Sequence, residues 1–148
     1  MKKSLTVLVA VAFAATAHAQ LPGLRRRPPV PAAPALVGID AARADFVMKA
    51  GSDTVYFGQE SSLLGFPAKT TLAAQARWLL QNPAVVVRIE GHGDASDTRD
   101  HALALGARRA EEVRSYLVLL GVPAAQLSVT SWGKERPGAG RAVTILVR

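Results

Sequence analysis

The chain contains no cysteine. Neither a disulfide nor a lipid joined to a cysteine at a leader cleavage site is therefore open to it, and its fold must rest on its core. It also has no Gly-x-Ser-x-Gly elbow, and a nucleophile without a base and an orienter makes no catalytic centre. His-x-x-x-His, Asp-x-Asp-x-Asp-Gly and paired-cysteine spacings are missing, which removes the common metal-site patterns. Beyond the N-terminus no apolar run approaches the roughly 20 residues a membrane-spanning helix needs, and no long series of alternating strands suggests a barrel. No internal repeat is visible. The expectation is a non-enzymatic protein with no metal or other cofactor and no integral membrane anchor.

The first 20 residues of the 148, MKKSLTVLVAVAFAATAHAQ, have the three parts of a secretory leader. Lys2 and Lys3 supply the charge, Leu5 to Ala17 the apolar stretch, and Ala17-His18-Ala19 a small-x-small cleavage site. The expected division is a leader over 1–19, a spacer over 20–37 and one domain over 38–148, a common size for one core. The spacer carries five of the nine prolines between Pro22 and Pro34, which favours extended, polyproline-like chain. Removing Lys2 and Lys3 takes the formal charge from +7 to +5, and Arg25-Arg26-Arg27 carries part of the remainder. Such a balance suits membrane surfaces or anionic polymers, and export makes nucleic acid an unexpected partner.

Within the domain, Ile39 to Ala50 reads as a short leading helix and Thr54 to Phe57 as a strand. Pro67 suits a first helical turn, followed by Leu72, Ala76, Leu79 and Leu80 at helical spacing to Gln81, with Asn82-Pro83 as the stop. AVVVRIE at 84–90 is a near-continuous apolar run, expected as a central strand in a sheet covered by helices. Leu103, Gly106, Ala110, Val113, Leu117 and Leu120 mark the clearest helix, with Gly121 at its C′ position and Pro123 beyond. Strands at 127–132 and 141–148 complete the order βαβαββ. The fold class is α/β or α+β: a layered sheet with two main helices packed against it.

Between residues 91 and 110 lie the residues with most chemistry. Gly91 and Gly93 flank His92 and permit close backbone approach or positive φ. Asp94 lies in the loop after a strand, where functional groups gather in layered folds. At about 100° per residue, Arg108 points to solvent and Arg109 lies about 70° from the centre of the apolar stripe, at the edge of core and water. There it would bury its stem and offer its fork in a groove. Asp94 and Arg109 together match a zwitterion, or else form a salt bridge that pins loop to helix. His92, Asp94, Asp97, Asp100 and His101 are the rival metal candidates. Asp97 and Asp100 also fit as N-cap and first-turn acids of the following helix.

Over residues 53–148 the sequence resembles the OmpA-like C-terminal domain, especially its peptidoglycan-associated lipoprotein branch. The resemblance is carried by VYF at 55–57, WLLQNP at 78–83, VVVRIEGHGD at 85–94, LGARRAEEVRSYL at 105–117 and GVPAAQLSVTSWGKERP at 121–137. It implies non-covalent binding of peptidoglycan through the diaminopimelate of the stem peptide. The family's motif aspartate falls on Asp94 and its motif arginine on Arg109, with Arg141, His92 and Gly93 as further ligand-site residues. The sequence departs from the family at Gly58 and Glu60, at Asp97, at His101-Ala102 in place of Tyr-Asn, and at Ala139-Gly140-Arg141 in place of Asn-Arg-Arg. The expected location is the periplasm, at the cell wall or outer membrane. The alternative is a degenerate scaffold that binds other envelope proteins, such as Tol-type partners.

Overall fold

The computed structural model describes residues 38–148; the expected leader and spacer lie outside the described residues. The elements are α1 (Ile39–Ala50), β1 (Thr54–Tyr56), α2 (Phe66–Gln81), β2 (Val87–His92), α3 (Arg99–Leu119), a 3₁₀ turn (Ala124–Gln126), β3 (Leu127–Gly133) and β4 (Arg141–Leu146). The expected order βαβαββ behind a leading helix is the order found. No described helix is long and apolar enough to cross a membrane.

Local chemistry accounts for the helix ends. Pro67 stands in the first turn of α2, where its missing N–H costs nothing. Asn82 closes the same helix by donating from Nδ2 to the Trp78 carbonyl at 2.8 Å. At the end of α3, Gly121 adopts φ +96°. Its N–H reaches the Val118 carbonyl at 2.9 Å and that of Val122 reaches Leu117 at 3.1 Å, the double closure of a Schellman motif.

The strands lie in the order β1-β4-β2-β3. β4 is antiparallel to both β1 and β2, while β2 and β3, joined through α3, are parallel. β2 is thus central, as its apolar character requires. Alternate residues of β4, Ala142, Thr144 and Leu146, are buried. They meet a core of Phe46, Leu72, Trp78, Leu79, Val87, Ile89, Val113 and Leu117. Arg141, Val143 and Ile145 alternate onto the other face, which no described helix covers. Trp78 crosses Phe46 edge-on at 5.1 Å and donates from Nε1 to Asp45 at 2.7 Å, so its polar atom is satisfied inside the core.

Three expectations change. β2 starts at Val87 and runs on through Gly91 and His92, because Val86 pairs irregularly with the chain's last residues. Leu80 and Leu103 are 47% and 48% exposed, so they lie outside the buried stripes. Thr98, not Asp97, is the N-cap of α3: its Oγ1 accepts the His101 N–H at 3.3 Å. Asp100 is in the first turn, as expected.

Candidate functional site

Where β2 meets α3, both backbones lack side chains. A Cβ on Gly91 would stand 1.9 Å from the Gly106 carbonyl oxygen, and one on Gly93 would stand 2.3 Å from that of Ala102. Neither Gly91 nor Gly93 has positive φ, so close approach is the reason for both. The approach draws α3 onto the end of β2 and carries Arg109, one turn after Gly106, beneath the connection between β1 and α2.

Arg109 is 0% exposed, not at the edge of core and water. Helical phase places it on the flank of the stripe, and the segment from Gly58 to Ser61 then folds over that flank. Its Nε donates to the Ser61 carbonyl at 2.8 Å and one terminal nitrogen to Gly58 at 2.9 Å. The other terminal nitrogen donates to the His92 carbonyl at 2.9 Å and to Asp94 Oδ1 at 2.8 Å. Four of the five guanidinium N–H groups are thereby engaged. The cation also lies 5.4 Å from the centre of the Phe57 ring, within cation–π range.

Asp94 is 7% exposed. Its second oxygen, Oδ2, accepts the Glu60 amide at 2.6 Å. Glu60 holds φ +51°, the only non-glycine positive φ among the described residues. That conformation is costly for a side-chain-bearing residue, and it belongs to the turn that aims this amide. Burial pushes the Asp94 carboxyl up. The Arg109 hydrogen bond, the Glu60 amide and the charges of Arg109 and His101 outweigh burial and hold it below its ordinary 3.8, so it is ionised at neutral pH. Gly140, at φ +73°, adjoins this carboxylate: a Cβ there would sit 3.9 Å from Asp94 Oδ1 and 3.8 Å from the Phe57 carbonyl. Gly58, Glu60 and Ser61 join the site through backbone atoms alone, which leaves no signal in residue type or periodicity.

The structure divides the other expected site residues. Gly93 stays with the pair, since its N–H donates to Gly133 and its carbonyl accepts from Gly140. His92 contributes its carbonyl to Arg109, but its place in β2 turns the imidazole to the open sheet face. Arg141 alternates with buried Ala142 onto that same face, and it donates to the Pro137 carbonyl at 2.9 Å. His101 Nδ1 lies 3.0 Å from Asp97 Oδ2. Among the described residues no three His, Asp or Glu side chains converge as a metal site.

Residues 56–144 match the OmpA family. Relatives that bear the name peptidoglycan-associated lipoprotein include those of Mesorhizobium japonicum, 46% identical over 95 residues, and Pseudomonas aeruginosa, 43% identical over 101. The matches cover 64% and 68% of this chain, and 56% and 60% of those relatives. The crystal structure of the peptidoglycan-associated lipoprotein from Burkholderia pseudomallei superposes with a TM-score of 0.63 at 33% identity, over 66% of this chain and 92% of that one. The C-terminal domain of Helicobacter pylori MotB shares the fold at 22% identity, with a TM-score of 0.58 over 65% of this chain and 84% of that one. With the matched segment spanning most of the sheet, both main helices and the Asp94–Arg109 pair, the chain belongs to the OmpA family.

Proposed function

We propose that this domain binds peptidoglycan non-covalently and without catalysis, in the periplasm after removal of a leader. The observation that carries the reading is the Asp94 carboxylate. It is ionised, oriented from two sides, and next to a residue with no side chain at 140. A carboxylate so placed suits an ammonium group such as that of the diaminopimelate zwitterion. The peptidoglycan-associated names of the relatives support the same reading. Arg109 is fully buried with four of its five N–H groups committed, so its part in this reading is to fix Asp94 and the 58–61 turn. Gly93 keeps the strand end close to α3.

The test is co-sedimentation with purified sacculi, with free diaminopimelate or lysine as competitor. We expect recovery of the wild-type protein, displacement by diaminopimelate but not lysine, and loss of recovery in Asp94→Ala. Absence of wild-type protein from the pellet would overturn the function, and equal recovery of Asp94→Ala would overturn the site.

One observation favours a second reading, a scaffold for other envelope proteins of the Tol type. Leu63 and Phe66, next to the turn that Arg109 holds, are 78% and 83% exposed, and large apolar side chains so displayed suit a protein partner. Partner capture that survives Asp94→Ala, with no sacculus binding by either form, would select this reading.

A further inference from the structure

The open sheet face carries a second cluster. In the register Gly91 pairs with Ala142, and His92 with Gly133. Ala142 is buried among the helices, Gly91 lies against Gly106, and Ser131 Oγ donates to the Leu103 carbonyl of α3. The register shifts between Gly91 and His92, which leaves Trp132 as the extra residue of β3. Arg141 is one step from buried Ala142, and Arg136 joins Glu90, two residues before His92 on β2, to the Trp132 ring. Arg141, His92 and Trp132 thereby gather on the opposite face of the sheet. His92 is 2% exposed. Three buried nitrogens here have no hydrogen-bond partner: His92 Nδ1, Trp132 Nε1 and Arg141 Nε. Native interiors leave few such atoms unmet, so three on adjacent strands at one end of a sheet call for an explanation.

The charges around them are mainly positive. The Arg136 guanidinium stacks 3.5 Å from the centre of the Trp132 ring and lies 3.5 Å from Glu90 Oε2. Arg88 meets the other Glu90 oxygen at 2.9 Å. Glu90 is the carboxylate held by this group, against the three cations Arg88, Arg136 and Arg141. Burial, then the charges of Arg141 and Arg136, hold the His92 imidazole below its ordinary 6.5, with Glu90 opposing them. At neutral pH it is uncharged, and one ring nitrogen can donate to an anion.

We propose that this face binds an oxyanion, a carboxylate or phosphate group, between Arg136 and Arg141, with Trp132 Nε1 and His92 Nδ1 donating to it. Arg136 has a half-exposed side chain and stacks on Trp132, so it is the group an incoming anion would draw with it. The ligand would lie on the opposite side of the sheet from the Asp94–Arg109 pair.

The chain offers its own control. Its second indole, Trp78, already donates to Asp45 in the core. In an NMR titration with inorganic phosphate, and separately with acetate, the Trp132 indole N–H is expected to shift saturably while that of Trp78 stays. Arg136→Gln and Arg141→Gln should each weaken the response on the order of tenfold, the loss of one charge-assisted contact. Asp94→Ala should leave it unchanged, which separates failure here from failure of the wall reading. Saturation by a purified stem peptide but not by phosphatidylglycerol vesicles assigns the group to a wall carboxylate, and the reverse assigns it to a lipid phosphate. A response to neither source would overturn an envelope anion as the ligand. No saturable Trp132 shift, an equal shift of Trp78, or unchanged affinity in both arginine variants would overturn the site.

Discussion

At the scale of the residue, Arg109 and His92 have opposite electrostatic situations inside one fold. Arg109 is buried as a cation that four acceptors require. Arg109→Ala would leave Asp94 ionised and unpaired together with three backbone carbonyls, and removing one partner of a buried pair costs about 3–5 kcal/mol. Urea unfolding should report a loss of that size. His92 is buried neutral, its pKa lowered from 6.5. As pH falls below 6.5 the unfolded chain takes up a proton that the folded chain resists, so stability declines from that point downward. Asp94, also lowered, loses its contribution only as pH falls from about 3.8 through its folded value. The two windows are separable. Unfolding midpoints measured from pH 7 to pH 3 should fall in two stages, with His92→Gln removing the upper stage and Asp94→Asn the lower one. The pairing of Asp94 with Arg109 was legible in the sequence, because strand end and helical phase bring the two together. The depth of Arg109 was not, because it depends on a turn whose carbonyls act without regard to side-chain identity.

At the scale of the element, the junction of β2 and α3 decides how the site is held. A glycine inside a helix ordinarily costs about 1 kcal/mol relative to alanine, so Gly106→Ala would stabilise an isolated α3. In the fold its new methyl would stand 2.4 Å from Ser131 Oγ and 2.9 Å from the Gly91 carbonyl oxygen. The serine side chain can turn away, but the backbone oxygen cannot, and overpacking of this kind costs about 1–3 kcal/mol. Gly106→Ala is therefore expected to lower stability by thermal unfolding. Gly91→Ala sets methyl against backbone at 1.9 Å and should lower it further; a stabilised Gly106→Ala would refute the contact. The element order, the central β2 and the glycine-closed end of α3 were legible from apolar period and punctuation. The true extent of β2 was not, since a glycine and a histidine that read as the start of a loop are held in strand geometry by partners on both sides. Leu80 and Leu103 misled for a related reason: periodicity counts an apolar residue as buried whether or not anything lies opposite it.

At the scale of the whole molecule, charge is unevenly shared along the chain. Lys2, Lys3 and Arg25–Arg27 carry five of the seven net positive charges, which leaves +2 on residues 38–148. The core, the sheet and the Asp94–Arg109 pair all lie within the latter. Wall binding through a built carboxylate site should then depend only weakly on ionic strength, whereas attraction of the basic residues 25–27 to an anionic polymer is screened over a Debye length of about 8 Å at 0.15 M salt and about 3 Å at 1 M. Two proteins separate these contributions, one of residues 20–148 and one of residues 38–148. At low salt the longer protein should bind sacculi more tightly. At 1 M salt the two should converge on the same residual affinity, and that residue should vanish in Asp94→Ala. An affinity for the longer protein that falls to nothing at 1 M salt would place wall binding in the charge of residues 20–37, because a contact ion pair formed at the nearly buried Asp94 carboxylate is screened much less than exposed charges are.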